Sequence, residues 1–160
     1  MSTDMKRRAI LLFLHDRPGA LNKIAMLIRK KMYNVDTLTV CAASKPGISR
    51  MTITLQEDDE AKVEQIIRQL EKFVEVVSVK ELDTDHSYWR ELAIVKLEVP
   101  ASHLETFHGR YNFEVLEQKS ADIHILQVAG STRRIDSFLD EVGQEHIIEI
   151  ARTGVTSLEK

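Results

Sequence analysis

Residues Ala9–Leu14 are continuously apolar, the length of a buried strand, and the run is halted by His15-Asp16-Arg17-Pro18-Gly19 before an amphipathic segment begins. No other feature limits the folds open to this chain so strictly. A strand that turns directly into a helix must lay that helix across a sheet, because the helix's apolar stripe needs a face to cover. Leu21, Ile24, Ala25, Ile28 and Met32 form the stripe, while Asn22, Lys23, Arg29, Lys30 and Lys31 fall largely opposite. Pro18 suits a first helical position, and Gly19 permits close approach to the backbone. The opening N–H groups of such a helix lack intrahelical partners, and the helix dipole adds partial positive charge. A corner opened by Gly19 and preceded by Asp16 therefore suits an amino-acid zwitterion, carboxylate on the first-turn amides and ammonium near Asp16. The other reading of the same residues is an ordinary capped helix start, with Asp16 as the cap.

Beyond this corner the elements come in a fixed order. The stretch from Val35 to Ala42 is rich in β-branched residues, and Lys45-Pro46-Gly47 makes a turn. Residues 50–56 then alternate, with Met51, Ile53 and Leu55 on one side. Val63, Ile66, Ile67 and Leu70 line a second helix, and Val76–Val79 reads as a strand. Strand, helix, strand, strand, helix, strand is the ferredoxin-like βαββαβ arrangement, with helices on one face of an antiparallel sheet and the other face left available for pairing. Residues 83–88 are polar and aperiodic, which predicts a linker. The order then returns: a strand over Leu92–Val99, a short helix over Ser102–His108, strands at Phe113–Leu116 and Ile123–Val128, a helix carrying Ile135, Phe138, Leu139 and Val142, and a last strand at Ile147–Ala151. The expected organisation is α+β: two ferredoxin-like domains in tandem, 1–82 and 89–160, joined by 83–88.

Charge and cysteine content remove several classes of function. In 160 residues the net charge is −3, which leaves no electrostatic footprint for nucleic acid or an anionic membrane. RNA-recognition domains share this topology, but they stack bases on aromatics of the central strands, and residues 50–56 and 125–130 contain none. The six histidines are scattered without metal-ligand spacing, so no metal site and no catalytic residue is expected. The single cysteine, Cys41, excludes an internal disulfide and reads as a buried, inert thiol. No apolar run reaches membrane-spanning length, and the N-terminal residues lack a signal-peptide core, so a cytoplasmic protein is expected. Asn34, at the helix-to-strand corner, has two roles open to it: ending the helix in a left-handed conformation, or offering its amide to a ligand.

His15–Leu21, residues 32–40 and residues 49–55, taken with 63–82, 88–97, 126–142 and the ending 147–160, resemble the regulatory small subunit of acetohydroxyacid synthase (acetolactate synthase). The first motif alone indicates an ACT domain, the amino-acid-sensing module. The sequence Ala151-Arg152-Thr153-Gly154 narrows the resemblance to this subunit. The resemblance implies an ACT domain that pairs with its copy in a second chain to form one continuous sheet and a homodimer. A branched-chain amino acid, typically valine, binds at that interface. The carboxylate falls to the amides of Gly19, Ala20 and Leu21, while Asn34 and Val35 approach from the neighbouring chain. No cofactor belongs to this chain; thiamine diphosphate, FAD and magnesium belong to the catalytic partner, which the subunit activates and makes sensitive to feedback. A free-standing ACT-domain sensor of another protein is the alternative reading. The chain departs from the family pattern at Asp16, where asparagine is common, at Met32, where glycine is common, and in a shortened second half after Pro100.

Overall fold

In the computed structural model, which describes residues 6–160, the apolar run becomes the inner strand of a sheet with two covered faces. This strand, β1 (Arg7–His15), is followed by α1 (Ala20–Lys30), β2 (Val35–Ala42), β3 (Ile48–Gln56), α2 (Glu60–Leu70) and β4 (Val76–Leu82). The sheet order is β2-β3-β1-β4, and each pairing is antiparallel. Ile10, Leu12 and Leu14 meet Ile24, Met51, Ile53, Leu55, Val63, Ile66 and Leu70 in a core beneath the helices. Ala9 and Leu11 point the other way, yet they too are buried. A strand enclosed on both faces has no polar face to show, so β1 reads as a run where β3 alternates.

The second unit repeats the plan. β5 (Ser87–Glu98), α3 (Ala101–Glu105), β6 (Phe113–Gln118), β7 (Ile123–Gly130), α4 (Thr132–Val142) and β8 (Ile147–Arg152) give the strand order β6-β7-β5-β8. Ala93, Val95, Leu97, Leu126 and Val128 pack against Leu104, Phe107, Ile135, Phe138 and Val142. The fold is thus the expected tandem of antiparallel βαββαβ units.

Four expectations are corrected. The compact units are 6–88 with 155–160, and 89–154, within the described residues, so the last six residues fold with the first unit and not the second. The first five residues of the expected first domain lie outside the described residues. Of the expected linker 83–88, Ser87 and Tyr88 already belong to β5. The far face of the first sheet is not open for pairing throughout: β9 (Thr156–Glu159) and its neighbour Val155 lie against it, with Val155 and Ser157 buried. Cys41 is exposed, not buried. β2 is the edge strand, and Cys41 lies opposite Arg50 on the face away from the helices. Its local composition resembles that of a core strand, but its place in the sheet leaves it at the rim.

Candidate ligand-binding site

The loop between β1 and α1 is fixed by its neighbours. His15 N–H donates to the Glu75 carbonyl (2.8 Å) and Asp16 N–H to the Gly47 carbonyl (2.9 Å). Gly19 then takes φ +85°, a left-handed conformation in which a side chain is strained, at the N-cap of α1. No side chain caps the helix, so the reading of Asp16 as a cap is not realised. Ala20 N–H closes a turn onto the Arg17 carbonyl (3.2 Å), and Lys23 N–H reaches Gly19 O (3.1 Å). Ala20 therefore shapes the corner and its amide is not free, a correction to the expected trio of donors. The Gly19, Leu21 and Asn22 amides find no acceptor among the described residues. A Cβ built at Gly19 meets nothing within 4 Å, so a side chain there would find space even though its φ is strained. Lys23 pairs with Glu75, and that hydrogen bond, more than the surrounding charge, holds the Glu75 carboxyl below its usual range.

At its far end α1 closes differently than expected. Met32 N–H reaches Arg29 O (3.1 Å) and Tyr33 N–H reaches Ile28 O (3.3 Å), the paired bonds of a Schellman motif, with Met32 at φ +59°. The left-handed cap is Met32, not Asn34. Asn34 is exposed, and its amide has no hydrogen-bond partner among the described residues. Beside it, α1 and the edge strand β2 enclose an apolar groove of ≈ 350 Å³. Leu21, Ile24, Ala25, Ile28, Val35 and Leu38 line it, so two of the expected site residues, Leu21 from α1 and Val35 from β2, face the same groove. Sequence reasoning does not single out Leu38 or Ile28 as site residues, although Leu38 shares a face of β2 with Val40 and Ala42, the one signal that points to it.

Geometry divides the remaining site residues. Asp16, Gly19, Ala20 and Leu21 gather at the start of α1, whereas Asn34 lies past its end. The eleven helical residues Ala20–Lys30 lie between Gly19 and Asn34, about 16 Å at 1.5 Å per residue. No single amino acid spans that distance, so within one chain Asn34 and Gly19 cannot hold the same small ligand. Among the described residues no group of three His, Cys, Asp or Glu side chains is placed to hold a metal ion.

An antiparallel βαββαβ unit with a glycine-opened first helix and an apolar flank has the plan of an ACT-type module, here joined to a second unit of the same plan. Residues 10–78 match the family described as the AHAS small subunit-like ACT domain, and residues 90–160 match the family described as the small subunit of acetolactate synthase. The chain is 33% identical over 159 residues to the acetolactate synthase isozyme 3 small subunit of Escherichia coli, covering 96% of each. It is 33% identical over 152 residues to the probable acetolactate synthase small subunit of Methanothermobacter thermautotrophicus, covering 90% of this chain and 87% of the relative. The crystal structure of the small subunit from Thermotoga maritima superposes with a TM-score of 0.87 at 26% identity, over 98% of both chains. The chain belongs to the acetolactate synthase small-subunit family. It is a non-catalytic subunit, and catalysis resides in the large subunit.

Proposed function

We propose that this chain activates the acetohydroxyacid synthase catalytic subunit and imposes feedback inhibition by a branched-chain amino acid, valine first, in the cytoplasm. The observation that carries the reading is the corner at Gly19: a left-handed glycine, no capping side chain, and unpartnered Gly19 and Leu21 amides on exposed residues. The effector carboxylate sits on those amides, where the helix dipole favours it, and Asp16 attracts the ammonium group. The branched side chain enters the apolar groove along α1 and β2. Thiamine diphosphate, FAD and magnesium reside in the catalytic partner.

The distance between Gly19 and Asn34 supports a homodimer. If two ACT units pair through their β2 edges, Asn34 and Val35 of one chain come to the Gly19 corner of the other, and the half-exposed Leu38 and Val40 are covered. An effector held by both chains stabilises the paired state, and its differential affinity shifts the holoenzyme between activities.

Mixing the chain with its catalytic subunit should raise turnover, and valine should then lower it. Gly19→Asp should abolish inhibition while leaving activation intact, because the new carboxylate faces that of the effector. Aspartate tolerates positive φ better than most residues, which keeps the added backbone strain small, and the circular dichroism spectrum of the variant should match that of the unsubstituted chain. Full inhibition of the variant would place the site elsewhere, and unchanged turnover at saturating chain would remove the activating role.

A further inference from the structure

The strand that begins at Asn34 and Val35 also holds the other end of the chain. Val155 lies 118 residues beyond Thr37, yet its N–H donates to Thr37 Oγ1 (3.3 Å), and the Thr39 hydroxyl donates to its carbonyl. Thr37 Oγ1 is in turn 2.6 Å from Thr54 Oγ1 on the neighbouring strand. Further along, Arg50 donates to the Ser157 carbonyl, and Thr52 and Ser157 hydroxyls lie 3.4 Å apart. Val155 is 0% exposed. Both backbone polar groups of one buried residue are thus satisfied by hydroxyls on alternate positions of β2, where a sheet would use backbone rungs. β-branched threonines have stiff χ1 torsions, so the two hydroxyls move with the backbone of β2 as a body.

Val155 is joined directly to Gly154 (φ +81°), and three residues before it stands Arg152. Arg152 bonds Glu91 (2.5 Å) and Asp136 (2.6 Å) within the second unit. The covalent path from the hydroxyl clamp to this ion pair is Val155-Gly154-Thr153-Arg152, three peptide bonds.

We infer that Thr37 and Thr39 are positioning residues that couple effector binding at the start of β2 to the second unit through Val155. The inference rests on the effector site proposed for Gly19, Asn34 and Val35. Ligand contact at Asn34 and Val35 fixes the first residues of β2, next to a register shift between Val35 and Thr37. The threonine hydroxyls carry that change to Val155, and the Ala151–Gly154 segment receives it. Binding and inhibition are therefore separable: the clamp transmits the signal and does not touch the ligand.

The test uses the full chain and its catalytic subunit, with Thr37→Val and Thr39→Val, which keep shape and remove the hydroxyl. Calorimetric valine affinity should stay within about twofold of the unsubstituted chain. Inhibition at saturating valine should fall at least about fivefold in the ratio of uninhibited to inhibited turnover, the lower end of allosteric couplings. Thr39→Ser, which keeps the hydroxyl, should restore it. In the unsubstituted chain valine should slow hydrogen exchange at residues 153–157, and the valine variants should lose that response. Inhibition equal to that of the unsubstituted chain in both variants, or no exchange response at 153–157, overturns the relay while the effector site stands. If the unsubstituted chain binds none of valine, leucine or isoleucine, the effector reading fails first and the relay falls with it.

Discussion

In the first unit the chain leaves β1 through Pro18 and Gly19 and runs into an eleven-residue helix; in the second it leaves β5 through Val99 and Pro100 and makes five helical residues. Both opening helices lack a side-chain cap, whereas both second helices have one: Asp59 accepts from Ala61 N–H in α2 and Ser131 from Arg134 N–H in α4. The two uncapped corners differ in the helix that each one opens. α1 leaves one flank uncovered, a groove beside the edge strand. α3 and the turn after it sink Leu104 and Phe107 into the core, Phe107 lying edge-on to Phe138 at 5.3 Å. One topology thus gives a binding corner when the first helix is long and opened by glycine, and a core plug when it is short and opened by proline.

The largest expected effect breaks the second unit alone. The Glu91 side chain is 1% exposed and is matched by Arg152, whose guanidinium also bonds Asp136. Burial lowers the affinity of that guanidinium for its proton, but the two carboxylates outweigh burial and leave its pKa raised. Arg152→Met leaves a buried carboxylate unpaired, a loss of about 3–5 kcal/mol. Urea unfolding should show the second unit's transition move to lower denaturant while that of the first keeps its midpoint; a shift under about 1 kcal/mol would mean Glu91 reaches water. Next comes the capped pair. Asp59→Ala removes the acceptor of the Ala61 N–H (2.9 Å) and should cost about 1 kcal/mol. Ser131→Ala removes a longer bond (3.3 Å) and should cost less. Equal losses would dissolve the distinction.

How much of this was legible in the sequence depends on how local each cause is. The Gly19 corner was legible because proline and glycine after an apolar run act on their own backbone. The tandem βαββαβ order was legible because periodicity is local too. Three features were not. Nothing in a methionine signals positive φ, so the cap falls to Met32, where residue type alone favours Asn34. Cys41 has the composition of a buried site around it, yet strand order, not strand composition, decides which strand is the edge. Residues 155–160 carry no hydrophobic period, and Val155 and Ser157 are held by contacts more than 100 positions away in sequence, as the Thr39–Val155 bond illustrates. A short segment whose environment is supplied by distant threonines cannot announce its own placement.

Met32 sharpens the comparison from the stability side. It is 88% exposed, so its side chain packs against little, while its φ of +59° carries left-handed strain that glycine lacks. Met32→Gly should stabilise the first unit by up to about 1 kcal/mol, the relief of strain exceeding glycine's entropic cost. The second unit should not respond, because its own left-handed positions are all glycine: Gly109, Gly143 and Gly154. A loss of stability in the thermal melt would mean that the methionine side chain has packing partners in solution.

The smallest effect is a difference in acid sensitivity. In the second unit the Glu141 carboxyl is held below its usual 4.5, first by the Tyr111 hydroxyl (2.5 Å) and then by Arg110. In the first, Glu75 is lowered chiefly by Lys23. A carboxyl whose folded value is depressed contributes stability above its unfolded value, and that contribution disappears as pH falls from about 4.5 through the folded value. Tyr111→Phe removes the larger cause at Glu141, so stability should drop at neutral pH and converge with the unsubstituted chain below the folded value, flattening the acid limb for the second unit. The same bond raises the Tyr111 hydroxyl above 10, so its contribution is present at neutral pH and is lost as pH rises through the raised value; the variant should therefore also be flatter at the alkaline end. Lys23→Ala should flatten only the acid limb, and only for the first unit. Glu141 is exposed and Glu75 is half-buried beside an exposed Lys23, so salt should shrink both effects, that of Glu141 more. A Tyr111→Phe profile parallel to that of the unsubstituted chain from about pH 3 to 11 would show that the Tyr111–Glu141 bond does not persist in solution.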